Sequence, residues 1–300
     1  QGETLDGAEA LKRAGLKPVV LSSKEGLILL SGTTSVTAFA SLAIYDAQTL
    51  SLTADIAGSF TLEVLKGTLM AMDERLMAVR PHPDQINTAA NIRAILKDSP
   101  MLERYRGHRV QDALSIRCMP QLHGPVKKAI KDAETTLAIE LNSSVDNPLI
   151  FDEEDGGAVA LMGCNADGTY AGMASDNLCI AITDLCKMSN SRIDRLLNSL
   201  VSELPAFLNK NADFNNGLMM IQYASAGLQG ELRILAHPAV VDNLTTCANQ
   251  EDYVNMGYNA AKKAYDSMHL AKYILAAELI CDGQALDCYE DKRCAKGTQA

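Results

Sequence analysis

The side chains best suited to chemistry fall in polar loops between apolar stretches, where a rigid scaffold commonly displays functional groups. Residues 111–117 read Gln-Asp-Ala-Leu-Ser-Ile-Arg, ahead of Pro120, Gln121, Leu122 and His123. Arg117 offers a planar two-donor fork that suits a carboxylate; pairing with an acidic neighbour is the plainer alternative. His123 alone reads as a satisfied core or interface histidine rather than a base. A second cluster, Asn249, Gln250, Glu251 and Asp252, lies just before Tyr253, Met256 and Tyr258. Glu251 is either a first-turn acid stabilised by the helix macrodipole, or a general base or ligand-orienting carboxylate whose pKa burial would raise. Ser31-Gly32-Thr33 suits an N-cap, a hydroxyl satisfying free amides at a helix start. Asp146, Asn147 and Pro148 suit a turn, while Asn165 and Asp167, within residues 163–168, stay open as site candidates.

Helices must position these loops. Residues 34–79 contain no proline, and Leu62, Leu65, Leu69, Met72 and Leu76 recur at helical spacing, which predicts one or two long helices. Arg80-Pro81-His82-Pro83 should end that stretch, because proline lacks an amide donor and biases its predecessor away from helical geometry. Further helical patterns cover 85–97, 125–141, 176–200, 217–235 and 251–286. Leu178, Ile180, Ala181, Ile182 and Leu185 make one of them apolar on more than one face, so it should be buried on several sides. The expected fold is mostly α, a long-helix bundle, taken as one helical unit over 1–300, with 1–33 as a loop and short-strand lead-in.

Composition narrows the partners. The chain has 27 Lys+Arg against 37 Asp+Glu, a net charge of -10, which argues against a nucleic-acid surface. No apolar run reaches the length of a bilayer span and residues 1–12 lack the order of a signal peptide, so the reading is a cytoplasmic protein with no membrane partner. The eight cysteines form no C-x-x-C pair; they read as reduced, buried small side chains, and no metal site is expected.

Taken in order, several segments resemble the histidine and aromatic amino-acid ammonia-lyases: Leu21-Ser22-Ser23-Lys24-Glu25-Gly26-Leu27, Arg80-Pro81-His82-Pro83, residues 111–118 with Pro120 and Gln121, Asp146-Asn147-Pro148-Leu149, Leu204-Pro205-Ala206-Phe207-Leu208, Ala236-His237-Pro238, and residues 248–252. The resemblance covers most of the chain. It implies a helical core of the aspartase and fumarase kind, a homotetramer whose sites combine residues of neighbouring subunits, and a small-molecule amino-acid substrate. The Gln250-Glu251-Asp252 form of the last motif is similar to histidine-specific members. By the same match Arg117 would hold the substrate carboxylate, with Gln250 also on the substrate, Glu251 as acid-base group, and Gln111 and Asn165 near the reacting centre.

That family works through a methylidene-imidazolone ring formed from an Ala-Ser-Gly tripeptide, which is absent from these 300 residues. In the family it lies upstream of the Lys-Glu-Gly motif, so the expectation is that the chain is the C-terminal part of a longer lyase and is inactive alone. Around the ring's place the sequence also departs from the family: Ser31 stands for an Asn, Leu114 for a Tyr, Ala166 for a Phe and Asp167 for a His. Those departures raise two alternatives. One is a ring-independent lyase of a trimethylammonium betaine of a histidine-like compound, similar to ergothioneine-cleaving lyases; the other is a non-catalytic helical partner of an intact lyase.

Overall fold

The computed structural model describes residues 2–211 and 214–300, and they pack as two compact units. The larger spans 35–143 and 168–300, the smaller 1–34 with 144–167, where the sequence reading took 1–300 as one.

In the smaller unit, 1–33 is not the expected loop and short strand. It carries α1 (Gly7–Arg13) and α2 (Glu25–Ser31), and α3 (Thr34–Val64) begins at its edge. Ser31 is the last residue of α2, so it does not cap α3. Neither α1 nor α2 buries a residue within this structure, which is why no apolar periodicity announced them. The other half of this unit is a hairpin, β1 and β2, whose strands Leu149–Asp152 and Ala158–Leu161 pair antiparallel from Leu149↔Leu161 to Asp152↔Ala158. Its turn is set by Gly156 at φ +82° and by Asp155, whose carboxylate accepts from the Gly157 amide at 2.9 Å.

The larger unit is a helical bundle. After α3 come α4 (Glu74–Ala78), α5 (Pro83–Ile95), α6 (Pro100–Arg104), α7 (Leu114–Arg117) and α8 (Met119–Glu140). The chain continues through α9 (Thr169–Leu197), α10 (Ser199–Ser202), α11 (Met219–Leu235), α12 (Gly257–Asp287) and α13 (Lys296–Gln299). The long stretch predicted over 34–79 is therefore α3 plus a short turn and α4. The chain leaves α3 where Lys66 turns left-handed and the Gly67 amide donates back to the Leu62 carbonyl at 2.9 Å.

The three longest helices bury residues at alternating three- and four-residue spacing. On α3 these are Ala40, Ala43, Ala47, Leu50, Ala54 and Ala57; on α9, Ala171, Ser175, Leu178, Ile182, Leu185, Ser189 and Arg192. On α12 the run is Gly257, Ala260, Ala264, Ser267, Ala271, Ile274, Glu278, Cys281 and Ala285. That is the spacing of a coiled-coil seam, and its small members let backbones approach closely. At one end of the bundle a Cβ on Gly257 would lie 2.7 Å from the Gly168 carbonyl, and one on Gly172 2.9 Å from the Gly257 Cα. α12 starts at Gly257, not at Glu251 as predicted.

Among the described residues all eight cysteines are free. Cys179, Cys186, Cys281 and Cys294 are buried as expected, but Cys164 and Cys247 are exposed, because both lie in loops. Among the described residues no single helix is long and apolar enough to cross a membrane.

Candidate active-site segments

In the larger unit, residues 111–117 bring Gln111 and Arg117 together. The Arg117 Nη1 donates to the Gln111 Oε1 at 3.1 Å, and no acidic group pairs with Arg117 among the described residues. Its Nε is buried and has no hydrogen-bond partner. A half-buried guanidinium with an unused donor and no counter-charge is suited to an external carboxylate. Two buried contacts hold this segment. Asp112 accepts from the Thr68 amide at 2.8 Å, and its carboxyl is raised above the usual range by burial, against the opposing bond from Thr68 and the charges of Arg109 and Arg195. At the other end the Ser115 carbonyl accepts from Arg192 Nη1 at 3.2 Å. Leu114, on the same turn, is 63% exposed.

Glu251 and Gln250 lie in the exposed loop over 243–256. Its tip is closed by a bridge between Thr246 and Glu251, with the Thr246 amide donating to the Glu251 carbonyl at 2.8 Å and its hydroxyl to Oε2 at 2.5 Å. Inside that closure Cys247, Ala248 and Asn249 all have positive φ. Left-handed backbone costs an ordinary residue about 1–2 kcal/mol, and such strain concentrates at working sites. Asn243 ties the loop's return, donating to the Asp252 carbonyl at 3.0 Å and accepting from the Val254 amide at 2.8 Å. Glu251 is thus a loop carboxylate, not the helix-start acid that sequence also allowed.

The other predicted residues, Ser31, Asn165, Ala166 and Asp167, belong to the smaller unit. Asn165 is exposed, donates to the Ser144 carbonyl at 3.4 Å, and lines a cavity of about 200 Å³ with Asp146, Phe151 and Leu161. Asp146 pairs with Lys24 at 2.6 Å, and Lys24 also donates to the Pro148 carbonyl. The Thr33 hydroxyl is buried without a partner.

The sequence profile of a family described as aromatic amino acid lyase matches residues 1–300. The chain belongs to this lyase family. It is 43% identical over 299 residues to a histidine ammonia-lyase of Alkaliphilus oremlandii, covering 100% of this chain and 58% of that relative. The chain therefore spans under two thirds of the length of the curated relatives it matches. A solved histidine ammonia-lyase from Trypanosoma cruzi superposes with a TM-score of 0.88 at 35% identity, over 98% of this chain and 56% of that one. An ergothionase from Treponema denticola, crystallised with desmethyl-ergothioneine sulfonic acid, superposes with a TM-score of 0.87 at 26% identity, over 99% of this chain and 59% of that one.

This lyase-family chain also holds polar groups that sequence reading missed. Glu278 on α12 is fully buried; it accepts from Arg192 Nε, from Arg192 Nη2 at 2.9 Å, and from Ser189 Oγ at 2.5 Å. Beside it Asp282 accepts from Thr61 at 2.7 Å. Burial and the neighbouring Glu278 charge raise the Asp282 carboxyl well above the usual carboxylate range. The signal that could have found Arg192 and Glu278 is a charged residue recurring on the apolar face of each helix. His123 proves to be a core histidine: its Nδ1 lies 2.8 Å from Asp55, which also pairs with Lys127 at 2.5 Å. Burial lowers the His123 pKa, against the opposing bond to Asp55. A groove of about 920 Å³ along α8, α9 and α11 includes none of the predicted site residues.

Proposed function

We propose that this chain contributes the carboxylate-binding and acid-base residues of a carbon–nitrogen lyase that removes ammonia from a histidine-type amino acid. The observation that carries this reading is Arg117, half-buried, unpaired with any acid among the described residues, and braced by Gln111. Its fork would grip the substrate carboxylate and fix the α-carbon. Glu251 would then move a proton at the β-carbon or at the departing amine, with Gln250 supplying a hydrogen bond to the substrate. Histidine specificity is supported by the relatives' names and by the Gln250-Glu251-Asp252 motif.

A ring-dependent reaction needs an electrophile that makes the amine a better leaving group. These 300 residues contain no Ala-Ser-Gly from which to form it, so another segment would have to supply it and this chain alone should be inactive on L-histidine. The residues here do not match the ring's usual surroundings. Leu114 is exposed and apolar, with no hydroxyl to offer, and Ala166 has no aromatic ring.

That misfit, with the likeness to ergothionase, favours a second reading: elimination of trimethylamine from a betaine of a histidine-like compound, whose leaving group needs no such activation. The deciding experiment incubates the native-length protein with L-histidine and separately with its trimethylammonium betaine, measuring ammonia and trimethylamine. Ammonia from L-histidine supports the first reading and trimethylamine from the betaine the second; release of neither overturns the lyase proposal. Assembly as a homotetramer in the cytoplasm completes the proposal. Self-association is supported by Leu42, Tyr45, Leu52 and Ile56, exposed apolar residues at helical spacing along α3.

A further inference from the structure

A helix of four residues has no stability of its own, since nucleation alone outweighs its hydrogen bonds. The place of α7, which carries Arg117, must therefore be set from outside. From the core the apolar Ile116 side chain anchors it, and Arg192 is the polar group that reaches it. It is fully buried on the α9 seam, and it uses Nε and Nη2 on Glu278 while Nη1 leaves the seam for the Ser115 carbonyl, two residues before Arg117. Gly58 on α3 makes the room: a Cβ there would lie 2.3 Å from Met119 Sδ and 3.4 Å from Arg192 Cζ. A buried ion pair is a poor source of stability, because well-packed apolar residues of similar volume commonly do as well. What apolar residues cannot do is reach the Ser115 carbonyl. A lysine could not replace this arginine either, since one ammonium cannot span both Glu278 carboxylate oxygens and Ser115.

We propose that Arg192 is a positioning residue for substrate binding: through the Ser115 carbonyl it fixes the turn from which Arg117 meets the substrate carboxylate. The inference rests on the reading of Arg117 as the carboxylate group. The Glu278 carboxylate neutralises the guanidinium.

The test uses the native-length protein and two probes, L-histidine and histamine, which differ by the carboxylate, with affinities measured by calorimetry and folding followed by melting temperature. Arg192→Lys should weaken L-histidine binding about tenfold while leaving histamine binding unchanged. The double variant Arg192→Met with Glu278→Met removes the pair without stranding a charge, and should show the same selective loss. In an Arg117→Ala background, adding Arg192→Lys should change neither affinity further. If the unaltered protein does not favour L-histidine over histamine, or Arg117→Ala leaves that preference intact, the carboxylate reading of Arg117 fails. If Arg117→Ala abolishes the preference but a folded Arg192 variant keeps it, or loses both affinities equally, the positioning inference alone is overturned.

Discussion

The segment over 111–117 and the loop over 243–256 both carry candidate residues, yet they are held in opposite ways. The first hangs from the bundle by buried polar contacts, Asp112 on the Thr68 amide and the Ser115 carbonyl on Arg192. The second is tied to itself: Thr246 bonds Glu251, Asn243 bonds both Asp252 and Val254, and residues 247–249 are held left-handed between them. A group that must only grip a carboxylate gains from a fixed mount. The group proposed to move a proton sits instead on an exposed loop with three consecutive left-handed residues.

The sharpest way to break this contrast is Glu251→Gln in the native-length protein. It should lower kcat by about two to four orders of magnitude if Glu251 transfers the proton; a change of less than threefold would make it an ordinary loop acid. Arg117→Lys should raise KM about tenfold with a smaller change in kcat, since a point charge replaces a two-donor fork. Unchanged saturation behaviour would remove Arg117 from the site.

The mounts themselves can be tested by stability. Gly257→Ala should destabilise by about 1–3 kcal/mol in chemical denaturation, because overpacking in a well-packed contact costs that much and the added carbon would meet the Gly168 carbonyl. Ala248→Gly should stabilise slightly, by about 1 kcal/mol or less, since glycine tolerates positive φ, while lowering kcat if the strained loop serves catalysis. Asp282→Asn tests the buried layer. A carboxyl whose folded pKa is raised adds stability that is present below its unfolded value, 3.8, and is lost as pH rises toward its folded value. The asparagine variant should therefore melt roughly 2–4 °C higher at neutral pH and show a flatter pH dependence above pH 4. An unaltered slope would mean that Asp282 ionises freely in the folded protein.

Much of the fold was legible. Pro81 and Pro83 predicted the break before α5, and apolar spacing predicted α8, α9 and α11 to within a few residues on most ends. Two kinds of feature were not. The helices α1 and α2 bury nothing within the structure, so they left no periodic trace. The start of α12 was misplaced at Glu251, because nothing in the local pattern shows that Thr246 bridges Glu251 and that Asn243 bonds Asp252 and Val254, which holds these residues in a loop. For the candidate site, residue type alone pointed to Arg117 and Glu251, and family resemblance gave them roles. Neither pointed to Arg192.

By itself the sequence determined most of the long helices of the bundle and the break at Pro81 and Pro83, since periodicity and proline act over a few neighbouring residues. Only the tertiary structure decided that Arg192 meets Glu278, 86 positions away, that their layer reaches Ser115, and that Glu251 sits on a loop closed by Thr246. Such pairings depend on which helix faces cross and at what height. That is set by the packing of whole seams, where a single glycine or alanine admits a neighbour that local pattern cannot name.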